Sequence, residues 1–246
     1  MLIVIPISSS DSELAETFTQ VISATGENKN HTVLVVSRPG DGAASLDLAN
    51  GLIGTGVFSK IGLHWFSEDG PKGWPLGPNF YWFETIKYLT GTNNNLPWLW
   101  MELDCTPLKP GWADALEEEY LKCGTPFLGM HGWSGEPPVK HLVGVAAYPP
   151  QVSDHSKLYN EVPNSGIAFD VVCQDEFVPK STESRLMQHG FRTGNYRRLP
   201  DGILQGEHLN GSPGGRQYDQ PVREEAVLHH GCEDGSLAKL VININR

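Results

Sequence analysis

Two short apolar runs, LIVIPI (2–7) and HTVLVVS (31–37), flank a stretch with helical spacing, and this arrangement constrains the fold more than any other feature of the chain. Each run is continuous and rich in β-branched residues, as expected of a strand buried on both faces. Between them, SDSELAETFTQVIS (10–23) offers Ser10 or Asp11 as a cap and Glu13 in the first turn, with Leu14, Phe18, Val21 and Ile22 on one stripe. Strand, helix and strand at this spacing form a βαβ unit, which implies a parallel sheet with a right-handed crossover. Ligands of open α/β sheets bind beyond the carboxyl ends of the strands. The loops after Ile7, Ser37, Phe66 and Met101 are therefore expected to face one site.

Further along, SLDLANGLIGTG reads as a helix and IGLHWF (61–66) as a third strand. A Gly/Pro-rich loop, EDGPKGWPLGPN (68–79), leads into an aromatic helix, FYWFETIKYLTG (80–91), and GWADALEEEYLKCG (111–124) is a helix closing on Gly124. In the second half, HLVGVAAYPP and GIAFDVV (166–172) read as strands, and the alternating LAKLVININR as a terminal edge strand. There is no internal repeat and no clean linker. The expectation is one α/β domain over 1–246, with a nucleotide-fold half (1–130) and a more variable half (131–246).

Composition narrows the function classes. A hydrophobic content of 39% with 19% charged residues fits a soluble globular protein, and no apolar run approaches the ~20 residues of a membrane helix. The amino terminus has no basic region of the secretory kind, so a cytoplasmic protein is expected. The four cysteines are widely spaced, which argues against structural zinc and a disulfide framework. A net charge of −11 disfavours polyanions in general. Against that background, Lys180, Arg185, Arg192, Arg197 and Arg198 form one basic stretch containing a single acid, Glu183. It is either a site for an anionic ligand or solvated surface.

The segment WLWMELDCTPLKPGW (98–112) puts Glu102 and Asp104 at the end of an apolar strand. Burying a lone carboxylate is costly unless a cation, a proton or strong donors compensate it. Residues two apart on a strand point the same way, so two hard oxygen ligands on one side suit Mg²⁺ or Mn²⁺ shared with substrate phosphates. The alternative is that one acid caps the following turn and the other is solvated.

In wider context the chain resembles the GT-A glycosyltransferases, the nucleotide-diphospho-sugar transferases. WMELDCTPLKPGWADAL is similar to that family's D-x-D-like motif and following helix, with Glu102 replacing the first Asp. GPNFYWFETIKYLTG resembles the preceding helix, with Asn79 at a donor-contacting position; LIVIPISSSD and LVVSRPGD resemble the first two strands and their loops. LHHGCEDGSLAKL (228–240) is similar to the segment that supplies a histidine ligand, which fits His230 best and His229 next. Glu233 stands where a basic residue facing phosphate is expected, and Lys239 would supply that charge.

The resemblance implies a Rossmann-like fold with a mostly parallel sheet and Mn²⁺ or Mg²⁺ on Glu102, Asp104 and His230. It implies a nucleoside-diphosphate sugar, a UDP-sugar first, held by Pro6, Ser8, Asp11, Arg38, Asn79 and Lys239, and an acceptor with a free hydroxyl. A hydroxymethylated pyrimidine in DNA is one such acceptor in short relatives; Arg192, Arg197 and Arg198 would then hold the backbone. Trp133 and Trp74, in Gly-rich loops, are candidates for stacking on sugar or base. Asp170 is the candidate base for the acceptor hydroxyl, followed by Asp175 and Glu176; the alternative for Asp170 is a carboxylate that accepts local backbone donors. Two rival readings remain: a sugar-phosphate nucleotidyltransferase, whose Gly-rich and basic signature PISSSDSEL lacks, and a non-catalytic binding module.

Overall fold

The computed structural model describes residues 1–208, 220–232 and 234–245, except the side chains of Phe191, Arg192 and His208. The first half follows the expected alternation. β1 (Leu2–Pro6), α1 (Ser12–Ala24), β2 (Thr32–Ser37), α2 (Gly42–Thr55) and β3 (Lys60–Trp65) build parallel pairs in the order β3-β2-β1. α3 (Leu76–Gly91) returns the chain to β4 (Trp98–Trp100), which lies parallel to β1 on its other side. β4 is short because the chain leaves the sheet at Met101. It turns through Glu102–Cys105, where Cys105 N–H donates to the Glu102 carbonyl at 3.0 Å, and enters β5 (Thr106–Pro107) of a second sheet.

α4 (Trp112–Cys123) precedes β6 (Phe127–Ser134) and β7 (Val139–Tyr148), a hairpin that adds antiparallel strands to β4. Two short helices, α5 (Phe169–Val172) and α6 (Gln174–Phe177), and β8 (Ser181–Glu183) complete the seven-stranded sheet β3-β2-β1-β4-β7-β6-β8. The second sheet has the order β11-β10-β9-β12-β5. Its strands are β9 (Met187–Arg198), β10 (Leu204–His208), β11 (Gln220–Pro221) and β12 (Leu228–Cys232), with β5 at one edge. α7 (Ser236–Asn245) follows.

The continuous apolar runs of β1 and β2 serve two cores at once. Ile3, Ile5, Val33 and Val35 pack with Phe18, Leu52 and Trp112, while Val4, Leu34 and Val36 pack with Trp82, Trp98 and Trp100 on the opposite face. Alternate residues of a strand point to opposite faces, so both must be apolar when helices cover both.

Two expected strands are helices. LAKLVININR forms most of α7: the alternation of its last residues conceals a stripe of Leu237, Ala238, Val241 and Ile242 that packs with Val21 of α1 and Tyr196 of β9. In GIAFDVV the backbone is taken from any sheet ladder by one side chain. Asn79 Oδ1 accepts from Phe169 N–H, and Asn79 Nδ2 donates to the Ile167 carbonyl, both at 2.8 Å. The Phe169 ring stacks on Trp82 at 4.6 Å, and the chain turns into α5 with Asp170 in its first turn.

Candidate metal and donor site

Two sheets deliver the site. Glu102 and Asp104 lie in the turn that carries the chain from β4 to β5, and β5 pairs with β12 so that Thr106 faces His229. His230, the next residue on β12, points to the other face, towards the acids. Its Nε2 lies 3.5 Å from both Glu102 Oε2 and Asp104 Oδ2. One ligand atom from each of the three residues falls within 4.8 Å of the others. The parallel register of β12 and β9 sets His189 beside His230, with 3.0 Å between their Nδ1 atoms.

The electrostatics mark this as a place for positive charge. Burial alone would lower the pKa of His230, but Asp104 and Glu102 more than reverse it and lift it to about 9. Partial burial opposes the Glu102 carboxylate. The His230 ring and the Trp100 indole N–H, 3.2 Å from Glu102 Oε1, outweigh this and hold its pKa below the ordinary value. Burial and the neighbouring histidines push His189 down to about 3, so it is neutral and its Nδ1 can accept from His230 Nδ1–H. Once His230 gives up its extra proton, an imidazole fixed through Nδ1, with Nε2 facing two carboxylates, is a donor set suited to a small divalent cation.

Two cavities meet at these acids. One, of about 570 Å³, is lined by Pro6, Ser8, Asp11, Arg38, Lys72 and Trp74 together with Glu102 and Asp104. The other, of about 730 Å³, shares Trp74, Glu102 and Asp104 and adds Trp133, His141, Asp170, His189 and His230. Asp170 Oδ2 sits 3.6 Å from His141 Nε2, and Oδ1 accepts from Val171 N–H at 3.0 Å. Burial raises the Asp170 pKa, and the Glu102 charge adds to this against the opposing pull of His141.

No protein-family model and no curated protein sequence matches the chain. Solved structures do. An active-site mutant of LgtC is similar with a TM-score of 0.56 and 11% identity, over 99% of this chain and 96% of that one. LgtC, a galactosyltransferase, has also been solved with donor and acceptor sugar analogues. Apo mouse xyloside xylosyltransferase 1 gives 0.51 and 9%, over 95% and 98% of the two chains. The glycosyltransferase GlyE of Streptococcus pneumoniae TIGR4 gives 0.51 and 10%, over 75% of this chain. This chain spans only 45% of the GlyE chain. The chain has the GT-A fold.

Within this GT-A framework the expected donor residues separate. Pro6, Ser8, Asp11 and Arg38 line the first cavity. Asp11 closes the Ser8 turn, its Oδ2 accepting from Ser8 N–H at 2.9 Å and Ser8 Oγ–H at 2.7 Å. Asn79 does not line either cavity; its buried amide is spent on the Ile167–Phe169 backbone. Lys239 is exposed on α7 and lines neither cavity. His229 faces away from the acids: fully buried, its Nε2 is 2.8 Å from Tyr196 OH.

Of the residues expected to meet an acceptor, Trp133 is exposed at the rim of the second cavity and Asp170 lies inside it. Glu176 is engaged elsewhere, accepting from the Lys157 and Leu158 amides. Arg197 pairs with Glu207 at 2.9 Å on the β9–β10 hairpin, and neither it nor the exposed Arg198 lines either of these two cavities. The side chain of Arg192 and the whole of Glu233 lie outside the described residues. Sequence reasoning missed His189 and Lys72, and weighed His141 only as flanking a Gly/Pro loop that could line the acceptor pocket. His189 depends on the register of β9 with β12, two strands whose pairing no local pattern declares; Lys72 stood in plain view in the Gly/Pro loop near Trp74.

Proposed function

We propose that the chain transfers a sugar from a nucleoside-diphosphate sugar to an acceptor hydroxyl. The observation that carries this reading is the meeting of two cavities at Glu102, Asp104 and His230, one opening on the β1 and β2 loops and the other on Asp170. These three residues would hold Mn²⁺ or Mg²⁺, which when bound offsets the charge that develops on the departing diphosphate. Ser8, Asp11 and Arg38 build the walls around the nucleotide, a uridine nucleotide being the first to try. In the reaction the bond from the anomeric carbon to the phosphate oxygen breaks and a bond to the acceptor oxygen forms. Asp170 takes the acceptor proton, a role helped by a carboxyl whose pKa lies above the ordinary value. His141 steadies Asp170, and Trp133 and Trp74 offer flat faces to a sugar or base.

Among the described residues lining the second cavity there is no lysine or arginine, which favours an entering group that is not anionic. A hydroxymethylated pyrimidine of DNA meets that condition if its base is flipped and its phosphates stay outside, near Arg197 and Arg198. The test is a screen of nucleotide sugars and acceptors with products read by mass spectrometry, alongside Asp104→Ala. Turnover that requires Mn²⁺ or Mg²⁺ and disappears in Asp104→Ala is expected. Equal donor affinity with and without the cation would overturn the metal assignment.

A further inference from the structure

A diphosphate needs more positive charge than this metal site can give. A sugar nucleotide carries two negative charges on its phosphates, and a divalent cation bound by two carboxylates has no net charge left to offset them. The donor cavity also has Asp11 and Asp41 on its walls. Among the described residues its cations are Arg38 and Lys72. Arg38 is committed: it is 6% exposed, and its Nε donates to Asp41 Oδ2 at 3.1 Å and to Tyr81 OH at 3.2 Å. Its Nη1 donates to the carbonyl of Pro71, the residue before Lys72, at 3.1 Å. Lys239, the charge expected from the carboxyl-terminal segment, lies on α7 away from this cavity.

The segment bearing Lys72 is held on both sides. Asp69 Oδ1 accepts from Gly40 N–H at 2.8 Å, and the Gly73 carbonyl accepts from Gly77 N–H at 2.6 Å at the start of α3. Gly70, at φ +59°, lies so close to Phe80 that a Cβ there would fall 2.5 Å from the ring. Such fastening costs conformational freedom in a loop otherwise rich in Gly and Pro, and its result is to place an exposed lysine at the mouth of the donor cavity.

We infer that Lys72 is the diphosphate-binding cation of this chain, and that Arg38 is a positioning residue that sets Lys72 through the Pro71 carbonyl. The inference rests on the proposed use of a nucleoside-diphosphate donor. It changes what Arg38 does, from touching phosphate to holding the segment that does.

The experiment measures, with Mn²⁺ present, the affinity of wild type and Lys72 variants for UDP, GDP, ADP and CDP, then for the nucleoside of the tightest binder. Lys72→Ala should weaken that nucleoside diphosphate about tenfold, the worth of one charge-assisted hydrogen bond, and leave the free nucleoside unchanged. Lys72→Arg should restore most of the loss, and Lys72→Ala should leave Mn²⁺ affinity at its wild-type value. Arg38→Gln should weaken the diphosphate too, but add little in the Lys72→Ala background, because the two act through one contact. Wild-type binding that Lys72→Ala matches would overturn this assignment alone. Failure of the wild type to bind any of the four would overturn the donor reading and this assignment with it. Full additivity of Arg38→Gln and Lys72→Ala would overturn the positioning role of Arg38.

Discussion

If Glu102, Asp104 and His230 hold a cation as proposed, His230 is the residue at which a proton and that cation compete. Without a cation its pKa is raised to about 9 by Asp104 and Glu102, and a metal ligand must be neutral. The sign follows directly. Below about 9 the ion must displace a proton, so cation affinity should fall as pH drops from 9 towards 6.5, and level off above 9. At pH 7.5, Mn²⁺ binding should release about one proton, read by calorimetry in buffers of different ionisation enthalpy. Affinity independent of pH over that window would remove His230 from the ligand set. In the cation-free protein the same raised value stabilises the fold below the ordinary histidine pKa of 6.5, and that contribution is lost as pH rises through about 9. At this scale the sequence showed the acids well, because two carboxylates after WLWM break an apolar run. His189 was invisible: nothing in the sequence near it declares a partner 41 residues further on, and only the register of two strands brings them together.

At the scale of elements, α3 does more than cover the sheet. Through Asn79 it fixes the segment that carries Asp170, so one amide ties α3 to the carboxylate proposed as the base. Asn79→Ala leaves the Phe169 N–H and Ile167 carbonyl without partners and should cost about 2–3 kcal/mol in denaturant unfolding. Turnover should fall in the same variant while nucleoside diphosphate affinity holds, since Asn79 is remote from the donor walls. A parallel loss of nucleotide affinity would return Asn79 to the donor site expected from the resemblance. The misread elements have physical reasons. GIAFDVV has the residues of a strand, but a side-chain amide and the Trp82 ring offered its backbone and its phenylalanine better partners than a ladder. LAKLVININR alternates at its end, yet the face it buries against α1 and β9 repeats with the period of a helix. The βαβ half was legible because its core positions are local; the second half is set by pairings between distant strands.

For the whole molecule, charge and sheet architecture point to different tests. The chain carries a net charge of −11, and Arg197 and Arg198 sit on a hairpin outside both cavities. If the acceptor is DNA, replacing both with Ala should raise its KM and flatten the dependence of binding on salt, while donor hydrolysis stays near wild type. An unchanged KM would make them solvated surface. The other test comes from the turn between β4 and β5. It places two of the proposed ligands where one sheet hands the chain to the other, and the third comes from inside the second sheet. An ion seated there is a rivet through two plates, and it grips only while both plates are folded. Heating should therefore report occupancy with no sugar present. At a free cation concentration of a hundred times Kd, the folded state gains about 2.7 kcal/mol, and the melting temperature should climb with the logarithm of added Mn²⁺ and fall back in chelator.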